Sequence, residues 1–348
     1  MVSVRSVALY CLRAVGVFAL ARYLTRDRLR ILCYHGFSLG DEYQSAPVMF
    51  MRGTTFERRL QILRKLGIPV ISLAEGVTRL ANGEIGNAET VITLDDGWAS
   101  TLSVGQPILE RFGYPACVYV TTEHLHGDSE VFNAALFYMI RHSNRTTLTL
   151  EGLHPLLDGT YHIASDPDGA ARAIIIASEK ALPFHARQRL LQPLAALLGF
   201  DLQQLLHGGR FQLMGSDELK ELARRGMDIQ LHTHTHRLPD EFAACAREIE
   251  LNRDALQQVV GGTRNHLCYP SGKYGAQHLQ WLRGLGIVSA TTCDPGLNDR
   301  NTSPMLLKRF LDGDEVSDIA FEAEVCGARE LLRGMRARVR RLLSASAG

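Results

Sequence analysis

With 348 residues, 46% of them hydrophobic and 22% charged, the chain has enough apolar material for one large domain or two small ones. Lys and Arg number 38 against 37 for Asp and Glu, and a formal charge of +1 gives no electrostatic reason to expect nucleic acid as a partner. Seven cysteines, odd in number and without a C-x-x-C pair, argue against a disulfide framework and against a structural zinc site, and suit a reducing compartment. The chain opens on an apolar run from Val7 to Leu20, broken only by Arg13. That run is short for a bilayer span, and its central charge is unfavourable in a signal peptide. We expect residues 1–29 to form a packed N-terminal helix; a membrane-surface helix, or a signal cleaved near Ala19-Leu20-Ala21, is the alternative. Arg5, Arg13, Arg22, Arg26, Arg28 and Arg30 crowd this end. Arg329, Arg333, Arg336, Arg338, Arg340 and Arg341 crowd the basic segment 321–348 at the other. Such ends read as solvated helix faces or as segments resting peripherally on an anionic membrane. The expected location is cytoplasmic, with or without membrane association, in preference to secreted or periplasmic.

Further along, short apolar runs end in polar chemistry. "RILCYHGF" places His35 after Ile31 to Tyr34, and "VITLDDG" places Asp95 and Asp96 after Val91 to Leu94. Ala116 to Val120 leads to His124 and His126, which read as polar loop residues. "MDIQLHTHTH" places His232 to His236 after Asp228 to Leu231, and "HLCYPSG" places Pro270, Ser271 and Gly272 after His266 to Tyr269. None of these runs alternates, as expected of parallel strands buried on both faces. Between them "TTFERRLQILRKLG", "GQPILERFG", "GSDELKELARRG" and "QHLQWLRGLG" carry apolar residues three or four apart and end on glycine, the signature of capped helices; Ser216 is the expected N-cap of the third. Strand, polar residues, helix and strand in alternation give right-handed βαβ units. The expected fold is α/β, a distorted (β/α) barrel over residues 30–320. Residues following its strands would gather at one end. One segment, about 124–215, breaks the rhythm and is too long for a loop. It reads as a mostly helical insertion, with helices near 131–141, 168–180 and 186–206 and a hairpin near Leu148 to Tyr161, packed over or beside the site.

The gathered residues suggest chemistry. His232 and His236, four apart, can reach one ion from a strand end and the following turn, and Asp95 or Asp96 can add a carboxylate. Two imidazoles and one carboxylate leave positions open for water and substrate, as in a catalytic metal centre. The other aspartate stays free to take a proton from water. His234 is left outside the ligand set. Trp98 and Tyr269 read as sugar-stacking walls or as plain core.

In that order, "TLDDGW", "HTHTH" and "YPSG" resemble the signature motifs of the polysaccharide deacetylase family, carbohydrate esterase family four with its NodB-like domain, over roughly Arg30 to Leu311. The resemblance implies a distorted (β/α) barrel and removal of acetyl groups from N-acetylhexosamine polymers. It assigns Asp95 as general base and Asp96, His232 and His236 as ligands of a divalent metal, zinc first, with cobalt, nickel or manganese as substitutes. A metal-bound water would be the nucleophile, and a backbone N–H near Ser271 would hold the oxyanion. Pro270, Gly272, Trp98 and Tyr269 would complete the substrate surface.

Two positions depart from the pattern. The family's third-motif arginine, which orients the base, falls on Cys268, so that support is missing or comes from elsewhere. The late strand "LLKRFLDGD" lacks the histidine that many members use as acid. His35 resembles the early histidine of a subgroup acting on exported poly-N-acetylglucosamine, and becomes the candidate acid. An acetylated glycan is thus the expected partner. An O-acetyl esterase, a non-haem iron oxygenase using the same ligand types, or a glycan-binding or assembly protein with a decayed site are the competing readings.

Overall fold

The computed structural model describes residues 4–126 and 130–335. Seven parallel strands build the centre: β1 Arg30–Tyr34, β2 Thr90–Leu94, β3 Cys117–Val120, β4 Asp228–Leu231, β5 His266–Cys268, β6 Ser289–Thr291 and β7 Phe310–Leu311. Their spatial order is β6-β5-β4-β3-β2-β1-β7. β1 and β2 run in full register from Arg30 opposite Thr90 to Tyr34 opposite Leu94. The sheet curls until its two edges meet on one short segment. Leu307 bridges Thr291 of β6, and three residues later Phe310 pairs with Leu32 of β1. Residues 307–311 therefore close the distorted barrel expected from the sequence. β6 escapes the sequence reading because "SAT" is small and polar rather than an apolar run.

Alternation along the strands separates two cores. Ile31, Val91, Cys117, Tyr119, Cys268 and Leu307 fill the barrel interior. Leu32, Tyr34, Ile92, Leu94, Val118 and Val120 point outward against helices such as Gly53–Leu66, whose Phe56, Leu60 and Leu63 are buried three and four apart. Gly67 ends that helix at φ 60°, a left-handed turn that relieves the last carbonyls. Each such buried side chain contributes about 1.5–3 kcal/mol, and Leu60→Ala would cost about 2–5 kcal/mol by leaving a cavity. The helix Ser216–Arg224 starts one residue earlier than expected: Gly215 occupies the cap position, and its N–H donates to the Glu218 carboxylate at 2.9 Å. Ser216 is the first helical residue.

The insertion has its own core, formed by Phe132, Leu136, Met139, Ile174, Leu191 and Leu194 among others. Phe132–His142 and Pro167–Ala181 are helices, and Leu148–Leu150 pairs antiparallel with Gly159–Tyr161. The helical stretch expected near 186–206 consists of three helices: Phe184–Gln188, Leu191–Leu198 and Leu202–Leu206. Gly199, at φ 86°, ends the middle one. On its return the insertion lies against the turn after β2, with Met214 N–H donating to Gly97 O at 2.8 Å and Ala99 N–H to Gln212 O at 2.9 Å.

The N-terminal segment forms two helices rather than one, Val4–Ala14 and Val17–Leu24, meeting at 78°. Gly16, at φ 81°, makes the break. Among the described residues no single helix is long and apolar enough to cross a membrane. Phe18 and Ala21 pack with Ile319, Ala323 and Cys326 beside the start of β1. All seven cysteines are free. Of the C-terminal arginines, Arg329 and Arg333 pair with Glu324, while Arg336, Arg338, Arg340 and Arg341 lie outside the described residues.

Candidate active site and metal centre

Asp95 continues the inward row of Val91 and Thr93, so the strand's alternation turns its carboxylate into the barrel, where it is 3% exposed. Asp96 breaks the row. At φ 72° it takes the left-handed conformation that Asp tolerates better than most residues, and its carboxylate lines an open cleft. Two adjacent carboxylates thereby receive different surroundings.

Around Asp96 stand the two histidines. His232 Nε2 lies 3.2 Å and His236 Nε2 3.4 Å from Asp96 Oδ1. Ligands about 2.0–2.1 Å from a tetrahedral ion stand about 3.3 Å apart, so both histidine–aspartate separations suit a small divalent cation. Each offers one ligand atom within 4.8 Å of the others. The surroundings hold that geometry. His232 Nδ1 lies 2.9 Å from the Cys268 carbonyl, which fixes a donor there and leaves Nε2 facing Asp96. The Trp98 indole donates to Asp96 Oδ2 at 3.0 Å. Asn252, fully buried, accepts from His232 N–H at 3.0 Å and donates to Val120 O and Thr122 Oγ1. Thr235 N–H and Oγ1 both donate to Glu248, which ties down the turn where Thr233 and His236 sit at φ 63° and 58°. His234 faces away from the triad, its Nδ1 2.9 Å from Thr122 Oγ1.

Asp95 is held differently. Arg309, on the segment that closes the barrel, grips it in a fork, Nη1 to Oδ1 at 2.7 Å and Nη2 to Oδ2 at 2.8 Å. The Cys268 and Cys33 thiols approach Oδ2 at 3.4 and 3.5 Å. Burial alone would push this carboxyl up, but the guanidinium outweighs it and holds the carboxyl well below the usual carboxylate range. The support lost at Cys268 thus arrives from Arg309, whose guanidinium also meets Cys268 Sγ at 3.1 Å. The sequence did carry a sign of it: Lys308 and Arg309 interrupt the apolar run from Met305 to Leu311.

His35 is half-buried beside this pair, its ring, the Cys33 thiol and the Asp95 carboxylate offering atoms within 4.8 Å of one another. Its Nδ1 is buried without a partner. Pro270 and Ser271 line the cleft, Ser271 at φ 55°. Three expected substrate residues are placed otherwise. Tyr269 is fully buried, donates from its hydroxyl to Met305 O at 3.0 Å, and offers no face to a sugar. Gly272 serves packing, since a Cβ there would come within 2.7 Å of Cys293 Cβ. Trp98 borders the cleft but is 2% exposed and packed edge-on against Phe50, so it braces Asp96 rather than stacking on a ligand. His124 is no solvated loop residue either. It is buried, with Nε2 3.0 Å from Met214 O, and burial lowers its basicity to a pKa of about 4. The side chain of His126 lies outside the described residues.

The cleft, about 890 Å³, runs between this cluster and the insertion, which contributes Phe132, Phe137, Tyr138, Arg141, Arg187 and Gln188 to its far wall. Concave and largely apolar with a few convergent polar groups, it has the character of a ligand site.

Residues 200–290 match the polysaccharide deacetylase family profile. No curated protein sequence matches the chain. Among solved structures, the fold resembles the deacetylase PplD of Streptococcus pyogenes in complex with acetate, at TM-score 0.57 and 16% identity over 86% of this chain and 98% of that one. IcaB from Ammonifex degensii aligns at TM-score 0.54 and 17% identity over 87% and 97%. The polysaccharide deacetylase BA0330 of Bacillus anthracis, described as putative, aligns at 0.53 and 14% over 86% and 69%. At these identities the likenesses establish the fold. The matched segment holds two of the three motifs, His232–His236 and Pro270–Gly272, so this part of the chain is similar to polysaccharide deacetylases in sequence and the whole of it in fold.

Proposed function

We propose that the chain is a metal-dependent carbohydrate N-deacetylase, hydrolysing the acetamido groups of N-acetylhexosamine units in a polysaccharide. The observation that carries this reading is the convergence of Asp96, His232 and His236 at ion-binding distances, with a second carboxylate, Asp95, left out of that set. A zinc or similar divalent ion held there would acidify a water molecule and polarise the acetyl carbonyl. The protein's own groups do the rest. Asp95 takes the proton of the attacking water. Among the described residues its Oδ1 accepts only from Arg309, which leaves a lone pair for that proton, and Arg309 keeps the group ionised before the reaction begins. Ser271, in the third motif at the cleft wall, supplies a backbone N–H to the developing oxyanion. His35, close to both aspartates, returns a proton to the departing amine. The cleft volume lies at the upper end of the range of about 300–1,000 Å³ for ligand sites and accommodates a stretch of glycan rather than an acetyl group alone.

The test is acetate release from N-acetylglucosamine oligosaccharides by chelator-stripped protein, supplemented in turn with zinc, cobalt, nickel and manganese. Release restored by one of these ions supports the proposal. Acetate released only from O-acetylated xylan would replace it with an O-acetyl esterase, and release from neither substrate under any ion would end the hydrolase reading for this site.

A further inference from the structure

The two N-terminal helices present an exposed face that the fold leaves uncovered. Their buried side, Phe18 and Ala21, packs on the helix Asp318–Val325, whereas Val7, Tyr10, Val15, Leu20, Tyr23 and Leu24 are each 50–75% exposed. Six large apolar side chains within eighteen residues exceed the scattered exposure normal for a soluble surface. Within the stretch itself the charge has one sign, although Asp318 and Glu322 border it beside Tyr10. No Asp or Glu occurs before Asp27, and Arg5, Arg13, Arg22 and Arg26 fall in that stretch. Arg13 is neutralised by Glu322 at 2.8 Å. Arg22 donates to the Leu66 and Gly67 carbonyls, and Arg26 lies over the Tyr23 ring at 4.1 Å; neither meets a carboxylate among the described residues. Exposed Lys65 borders the same surface beside Tyr10. Apolar side chains flanked by unpaired cations on short, bent helices match the interfacial zone of an anionic bilayer, where rings and aliphatic groups enter the headgroup boundary and cations meet lipid phosphates.

We propose that this helix pair docks the protein peripherally on an anionic phospholipid surface. The dock sits beside the N-terminal end of β1, and the catalytic cluster lies at the C-terminal ends of the strands, about 16 Å away along the five residues of β1. Docked this way, the protein turns its cleft toward solvent. The proposal stands independently of the deacetylase reading.

It is tested by co-sedimentation of the full chain with vesicles of phosphatidylcholine alone and of phosphatidylcholine mixed with phosphatidylglycerol. Binding at least about tenfold stronger to the anionic vesicles is expected, weakening as salt is raised. Leu20→Asp combined with Tyr23→Asp, at two solvent-exposed sites, should reduce that binding by about tenfold or more. Leu197→Asp, at a 43% exposed site on the insertion, should leave it intact. Far-ultraviolet circular dichroism confirms that the variants are folded. Absence of binding, equal binding to neutral vesicles, or binding unaffected by the double variant would overturn the proposal. So would a concentration-dependent dimer in light scattering that the double variant dissolves, since a second copy would then be the occupant.

Discussion

The two walls of the cleft are built on opposite plans. On the barrel side, Asp96, His236, Thr235 and Ser271 project from turns that follow parallel strands, and Asp96 and Thr235 are each held by a second residue, Trp98 and Glu248. On the insertion side, Phe132, Phe137 and Tyr138 come from one helix whose core is separate from the barrel's. Such a division lets reaction chemistry and ligand recognition vary independently: one wall needs sub-ångström positioning, the other needs shape and apolar area.

Disturbing the barrel wall should do the greater damage. Asp95→Asn removes the proposed base and should lower kcat by about 10²–10⁴-fold while metal binding persists; a variant that turns over normally would remove Asp95 from the chemistry. Next comes Arg309→Leu, which leaves a buried carboxylate unpaired. A loss of about 3–5 kcal/mol is expected in urea unfolding, together with loss of activity in whatever fraction stays folded.

The joint between the walls is sensitive to acid. His124 and Met214 lie at the entry and exit of the insertion, joined by one hydrogen bond. The folded-state pKa of His124, about 4, lies below the ordinary histidine value of 6.5, so the unfolded chain binds more protons between those limits. The stabilisation is complete above pH 6.5 and is lost as the pH falls toward 4, by roughly 3 kcal/mol in total. His124→Gln should flatten the dependence of unfolding free energy on pH in that window.

Smaller effects sharpen the contrast. Trp98→Phe removes the donor to Asp96 Oδ2 and should weaken zinc affinity by about 10–100-fold in a chelator competition. On the other wall, Phe137→Ala removes one half-buried ring and should raise KM for a glycan by about 2–10-fold with kcat little changed. Were kcat to collapse instead, the insertion would belong to the reaction machinery.

The barrel and the convergence of Asp96, His232 and His236 were legible because parallel strands leave apolar runs, and because the residues after each run share one end of the fold. "VITLDD" and "HTHTH" needed only that rule to be brought together. Arg309 was not legible, since its partner lies 214 residues away and only closure of the sheet joins them. Tyr269 and Trp98 stayed open between sugar wall and core for a related reason: an aromatic at a strand end looks the same in sequence whether it faces a ligand or a helix. Gly16 was invisible as a helix break because a lone glycine inside an apolar run fits a continuous helix nearly as well.

Segment 307–311 has a consequence for how the protein fails. It is the last stave in the barrel wall, touching β6 at Leu307 and β1 at Phe310, and between those contacts it carries the guanidinium that steadies Asp95. Any fluctuation that springs the stave outward also releases the carboxylate proposed as the base. Hydrogen exchange at Arg309 and Asp312 and loss of turnover should therefore advance together under mild denaturant, well before the helices melt.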